Sequence, residues 1–480
     1  MQSEQPKYQI GMTVSACLWF GLFPLLQGGT YAHITYDKWI IMLILTGVTV
    51  LCFSADLIRM YIAQRKGPGS PLTGFLSPLA DFRSSLPFIL AFALLLWTIL
   101  SCRMSDYGWN FWFLGETSRY EALASQLCYF ALFTFFFFSR VNMKPVLLSA
   151  AAALAVYFVI VLLQRGGGNP LGLYPSGRSY ARNREFQGTI GNIDMGTGYL
   201  LLLAGLFLSS LLDLVTKNRK IGPQTESSAQ PSSDPGQTVK KAEPEKHHLR
   251  PLLLGIVYGT AFSVAVFLIL SMDVQFGFIS LFVLFVYTLL RYMILLRFVL
   301  KKWRLPILVF LIILVFIVVW FWPGTSGGIW ELHEILHGRP RLSFGSNRVA
   351  AWLFSLYLAR ENLLFGGGSG TFNWRFNLYL SDHYLAIPKE QDGKALPDYF
   401  DNPHNEYVGQ LTDHGIPGLL LFVSLLLLAL FHRRDGWFPL FTPCATAVLC
   451  YMVQAFFSFS VCIVAPMFWV LVGQSFRENS

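Results

Sequence analysis

The chain has 480 residues, of which 54% are hydrophobic, 16% aromatic and only 13% charged, with a formal net charge of +9 at pH 7. A soluble domain carries about 25% charged residues, so this composition excludes an ordinary soluble fold and points to repeated crossing of a bilayer. The positive balance needs no nucleic-acid partner, because cytoplasmic Lys and Arg of a membrane protein face anionic lipid headgroups.

At 1.5 Å per residue, about 20 apolar residues cross a hydrocarbon core of about 30 Å. Apolar blocks of that size predict spans at 10–26, 39–57, 86–101, 122–139, 146–163, 194–213, 251–271, 274–296, 305–322, 415–431, 438–454 and 456–473. The expected fold is therefore all-α and polytopic, with about twelve transmembrane helices and a large external loop containing short amphipathic helices. The first span follows a short polar head without a small-residue cleavage site, so it reads as a retained helix. The seven cysteines lie mostly in or beside spans, with no CxxC spacing that would suggest a disulfide framework or metal site.

Charge sets the orientation. With a cytoplasmic N-terminus, that side receives Arg59, Arg65, Lys66, Arg83, Arg140, Lys144, Arg291, Arg297, Lys301, Lys302, Arg304, Arg433, Arg434 and Arg477. Short loops on the opposite side carry only Lys38, Arg103 and Arg119. Both termini are thus expected in the cytoplasm. The domain order follows: spans one to six within 1–216, a cytoplasmic linker at 217–250, spans seven to nine within 251–322, an external loop at 323–414 and the last three spans within 415–480. The linker is polar and Pro/Ser-rich without apolar period, so it is expected to be disordered. Its His247 and His248 are read as incidental.

Two external segments break the charge rule and hold the candidate chemistry. The first, 165–193, sets Arg165, Arg178, Arg182 and Arg184 among glycines and tyrosines. The second is the 323–414 loop, too long for a plain connector. There Asn347 is expected to cap a helix with Val349, Trp352, Leu353 and Leu356 on one face. Arg348 would lie in its first turn, where free N–H groups attract an anion such as phosphate. Further on, DNPHNEYVGQLTDHGIPG reads as a helix capped by Asn402, with Pro403 first and Gly415 ending it. His404 would then sit in the first turn, where the helix dipole keeps the ring neutral. His414, at the far end, is read as structural. His333 and His337 share a helix face but do not complete the HExxH zinc-protease order. GGGSGTF at Gly366 lacks the Lys-Ser/Thr of a nucleotide loop and reads as a turn.

These segments together carry a resemblance. ETSRYEAL from Glu116, REFQGTIGNIDMGTGYL from Arg184, NRVAAWLFSLYLARENLLFGGGSGTF from Asn347 and NPHNEYVGQLTDHGIPGLLLF from Asn402 follow the order seen in the O-antigen ligase family. That family also includes O-antigen polymerases and bacterial protein O-oligosaccharyltransferases. The resemblance implies an inverting, metal-independent, cofactor-free glycosyltransferase at the outer face of the cytoplasmic membrane. Its implied partners are a polyprenyl diphosphate-linked glycan donor, a glycan, lipid or protein hydroxyl acceptor, and membrane lipids. His404 matches the family's loop histidine, held to activate the acceptor hydroxyl, and Arg348 the arginine opening RxxxW, held to engage the donor diphosphate. Arg184 stands where the family has a basic residue before GTxxN.

The chain departs from the family where a middle span often ends in Ser-Arg-Gly. Here LSMDVQFGFI, from Leu270 to Ile279, carries Asp273 and Gln275 and no arginine. Arg178, Arg182 and Arg184 are the candidate substitutes at the diphosphate, and Asn405, Glu406 and Asp273 are further site candidates.

The chemistry stands without the family: a diphosphate leaving group needs bidentate arginine donors, and the acceptor hydroxyl needs a base. Trp330, Trp352, Trp374, Tyr379 and Tyr384 are candidates for sugar stacking or interface anchoring. Two alternatives remain open, a cell-surface polysaccharide polymerase of the same superfamily and a lipid-linked glycan transporter or flippase. Ion-coupled transport places ionisable groups near the midplane; here Asp194, Asp273 and the arginines gather at one interface, which favours an enzyme.

Overall fold

The computed structural model describes residues 8–64, 77–79, 81–115, 119–221, 245–295, 301–383, 390–391, 394–395, 400–432 and 442–477. Tyr384, residues 116–118 of the ETSRYEAL stretch and most of the expected linker lie outside them. Helix α1 (Ile10–Cys17) runs into a π-helical turn over Leu18–Leu22. It is followed by α2 (Ile34–Gln64), α3 (Phe82–Arg103), the short α4 (Trp109–Phe113), α5 (Leu123–Phe138) and α6 (Met143–Arg165). A hairpin of β1 (Phe186–Gln187) and β2 (Gly191–Asn192), antiparallel with Phe186 opposite Asn192, leads into α7 (Ile193–Ile221). Then come α8 (Glu245–Met272), α9 (Gln275–Leu295) and α10 (Lys301–Trp320).

The long segment that follows holds α11 (Gly328–Leu336), α12 (Phe344–Ala359), α13 (Phe372–His383) and a small hairpin, β3 (Glu390–Gln391) with β4 (Lys394–Ala395). The chain closes with α14 (Glu406–Phe431), α15 (Pro443–Ala455) and α16 (Ala465–Ser475).

Every expected span overlaps a helix of the described residues, but the helices are not twelve crossings of equal standing. Among the described residues six are long and apolar enough to cross a membrane: Tyr31–Ala63, Phe82–Arg103, Met143–Arg165, Ile193–Thr216, Pro251–Met272 and Glu406–Phe431. Ile10–Leu22, Leu123–Phe138, Gln275–Arg291 and Pro443–Ala455 are shorter apolar helices.

Two expected boundaries are corrected. The span expected at 456–473 is helical only over Ala465–Ser475, where Pro466 stands in the first turn and cannot extend a helix backwards. All eleven residues of α16 are buried, so it fills the interior. The linker expected at 217–250 is helical at both ends, since α7 runs through Ile221 and α8 begins at Glu245.

Helix α7 lies at the centre, packed most extensively on α8 and α15, and 72% of its apolar stretch is buried. Small residues permit the approach: a Cβ on Gly205 would stand 2.8 Å from Ala447 Cα, and one on Gly198 would meet the Gln454 side chain at 2.4 Å. At the other end of α7, buried Arg291 of α9 pairs with Asp213 and donates to Ser209 Oγ.

The 321–405 segment is anchored on α14. The turn at Gly366–Gly370 lies between α12 and α13, as expected for GGGSGTF, with Gly366, Gly368 and Gly370 at positive φ. Its backbone pairs with α14 through Gly367 N–H to Thr412 O (3.0 Å) and Gly368 N–H to Asp413 O (2.9 Å). Helical geometry in α14 breaks at Gly415 (φ 68°), where a Cβ would lie 2.2 Å from Leu364 O. The freed Ile416 N–H bonds Leu363 O at 2.8 Å, and buried Arg375 of α13 donates to Thr412 O and Asp413.

Candidate active site

The helix start near His404 is three residues later than the sequence suggests. Asn405 is the cap of α14, its side chain accepting from Val408 N–H at 3.1 Å. Asn402 Oδ1 instead accepts from His404 N–H (2.8 Å) in a side-chain turn, which leaves His404 ahead of the helix at φ 47°. The helix dipole is therefore not what keeps this ring neutral. Burial, and then the charge of Arg348, hold its pKa down to about 4, with Asp401 raising it and Arg119 lowering it further. Its Nδ1 is buried without a hydrogen-bond partner among the described residues. Phe459, from the stretch between α15 and α16, stands edge-on to the ring at 5.2 Å, and Trp352 Nε1–H donates to His404 O at 3.4 Å.

Arg348 begins the regular part of α12, because Gly345, Ser346 and Asn347 all adopt left-handed backbone. Asn347 (φ 68°) is thus not an extended, side-chain cap as expected; its N–H bonds Ser343 O. The Arg348 guanidinium is held by three acceptors: Phe457 O (2.9 Å), Gly345 O (3.0 Å) and Asp194 Oδ2 (3.2 Å). Among the described residues three of its five N–H groups are engaged, and two have no acceptor there. Trp352, one turn on, lies 6.3 Å from the Phe457 ring, so α12 presents Arg348 and Trp352 to the same stretch that carries Phe459.

The structure adds residues that the sequence reading did not assign. Arg119 pairs with Asp401 at 2.6 Å and lies 4.9 Å over the Phe459 ring, which places a second cation beside His404. Its signal was its place in ETSRYEAL and on the sparsely charged side of the chain. Asp194, at the first turn of α7, is the partner of Arg348. Arg165 donates to Gln187 Oε1 (2.9 Å) and reaches Ser271 O (3.5 Å), tying α6 to the β-hairpin and the end of α8.

Other candidates stand apart. Arg178, Arg182 and Arg184 are exposed, Arg182 donating to Gly177 O; Arg348 and Arg119, not these three, act on His404. Asp273 is exposed at the α8–α9 turn, at φ 56°. His414 is buried and engaged, with Nε2 2.7 Å from Ser369 Oγ and Nδ1 2.8 Å from Gln410 Oε1. His333 lies on α11 and His337 caps its end, their rings 4.1 Å apart, and among the described residues no group of three or more His, Cys, Asp or Glu could hold a metal.

Beside His404 opens a cavity of about 90 Å³ whose walls include Arg119, Glu121, Asn405, Glu406, Gln410 and Phe459. Glu406 is 5% exposed. Glu121 accepts from Tyr129 O–H at 2.6 Å, and burial pushes its pKa up to about 8.

Residues 259–423 match the family model described as O-antigen ligase. The match contains Arg348, His404, Asn405 and Glu406 and stops short of Arg119 and Asp194. The match supports, over that stretch, the resemblance carried by the motifs, and the apolar helices mark a multi-pass membrane protein. No curated protein matches the chain.

Proposed function

We propose that this protein transfers a glycan from a polyprenyl diphosphate carrier to an acceptor hydroxyl, at the outer face of the cytoplasmic membrane, by direct displacement without a metal. The observation that carries the reading is a neutral, partly buried imidazole with an unpartnered Nδ1 beside two arginines. His404 takes the proton of the acceptor hydroxyl as that oxygen attacks the anomeric carbon. The carbon–oxygen bond to the diphosphate breaks, its electron pair leaves with the diphosphate, and the configuration inverts. The Arg348 guanidinium, with Arg119 nearby, neutralises the leaving group. Arg178, Arg182 and Arg184 are exposed cations that draw the anionic headgroup in from a distance.

A pKa of about 4 is low for a base working at neutral pH. Part of the lowering comes from Arg348, so a diphosphate seated on that arginine offsets its charge and raises the basicity of His404. The ring becomes an effective base once the donor is bound.

The test is transfer in vitro by the full-length protein in nanodiscs, from a polyprenyl diphosphate glycan to acceptor. His404→Ala is expected to insert and bind donor yet lose transfer, and EDTA is expected to leave the wild-type rate unchanged. Normal turnover in His404→Ala would remove the base; loss on chelation with recovery on adding a divalent ion would remove the metal-free mechanism.

A further inference from the structure

The cavity beside His404 has two carboxyl groups with no visible task. Among the described residues Glu406 Oε2 and Glu121 Oε2 are buried without a close hydrogen-bond partner, while each carboxyl is otherwise held, Glu121 by Tyr129 with Ser460 and the Cys462 backbone beside it, and Glu406 by Tyr451. Both residues line the cavity. A buried carboxyl oxygen left without a partner is costly, and burial, which pushes the Glu121 pKa up to about 8, keeps that group protonated so that it offers both a donor and an acceptor. The group the cavity lacks must therefore both donate and accept hydrogen bonds, which a hydroxyl does and a metal cation does not. Phe459 adds an apolar ring to the wall, next to amide side chains.

We propose that this cavity is a subsite for a neutral, polyhydroxylated sugar ring, with Glu406 and Glu121 receiving its hydroxyls. The lining is the argument: two carboxyls, amide side chains and the Phe459 ring suit hydroxyls and a ring face, and the cation in the wall, Arg119, is already paired with Asp401. This assignment of the sugar to a reactant rests on the glycosyl-transfer reading; the binding site itself does not. The sugar is either the terminal residue of the acceptor or the leading residue of the donor.

Two measurements on the full-length protein in nanodiscs test it. In saturation-transfer NMR, methyl β-glucopyranoside should show contact that Glu406→Gln weakens, and glucose 1-phosphate should not compete better than the neutral glycoside. In the transfer assay Glu406→Gln should raise KM about tenfold, the loss of one hydrogen bond to a neutral group, with kcat little changed. A rise confined to acceptor KM assigns the acceptor's sugar, and one confined to donor KM the donor's.

Gly409 supplies a variant that spares the carboxyls. It lines the cavity, and a Cβ there meets only Pro403 Cγ at 3.5 Å, an ordinary contact. Gly409→Ala should fold normally, and Gly409→Leu should obstruct the cavity and abolish the NMR contact. Unchanged KM for both substrates and unchanged NMR contact in folded Glu406→Gln and Gly409→Leu would overturn the subsite. No transfer by wild type together with intact sugar binding would overturn the reaction and keep the subsite.

Discussion

Replacing Arg348 by alanine removes a group that joins three stretches of chain, at Asp194, Gly345 and Phe457. Removing one partner of a buried ion pair costs about 3–5 kcal/mol, because the other charge is left uncompensated. The side chains of Arg348 and Asp194 are 18% and 22% exposed, so solvent relieves part of this. The expected loss is at the lower end, about 3 kcal/mol. Arg348→Ala alone therefore confounds folding with chemistry. Adding Asp194→Asn removes the stranded carboxylate and should return about 2 kcal/mol, a coupling in the usual range for contacting groups. Thermal unfolding followed by tryptophan fluorescence should thus show a large drop in the single variant and a much smaller one in the double. Transfer should recover in neither, because the diphosphate has lost its donors. A double variant that unfolds near the wild-type temperature and transfers glycan at the wild-type rate would show that Arg348 only braces the fold.

Arg348→Lys should also be impaired, since an ammonium keeps the charge and loses the planar fork; wild-type transfer would refute the fork. The base works when neutral, so kcat/KM should hold as pH falls and drop only on approaching about 4. Arg119→Gln removes a charge that lowers the His404 pKa and frees Asp401, which raises it, so the acid limb should move to higher pH; a downward move would contradict the electrostatics. Gly415→Ala should fail to fold or lose most of its yield, because its Cβ would strike Leu364 O at 2.2 Å in a left-handed conformation, whereas wild-type yield would discount the break. For sidedness, Gly338→Cys and Gly393→Cys should react with an impermeant thiol reagent from outside and Ser227→Cys should not, on a background without native cysteines; external labelling at 227 would invert the map.

Helices were legible because long apolar blocks carry their own signal, and Gly415 was legible because a glycine two residues before Pro417 marks a break. The cap was not. Asn402 and Asn405 are equally good cap residues by type, and the choice falls on Asn405 because His404 turns left-handed, with its carbonyl taken by Trp352. The neutral imidazole was anticipated with the wrong cause, since burial and arginines separated in sequence from His404 replace the local dipole. The Arg348–Asp194 pair spans 154 positions, and no periodicity along the chain announces such a contact. The count of twelve spans goes further than the six long apolar helices, because hydropathy does not tell a short buried helix such as α16 from one that meets lipid.

The break at Gly415 also bears on rates. The backbone groups freed there are taken up by Leu363, Gly367 and Gly368, so the segment beside His404 is laced to the same helix that enters the membrane. A segment laced in this way opens only when several main-chain bonds break together, and the amides of Gly367, Gly368 and Ile416 should be among the slowest of the segment to exchange with deuterium. These bonds leave no freely hinged flap at this point of the fold. In the proposed reaction, the reactants would come to a base that this lacing holds in place.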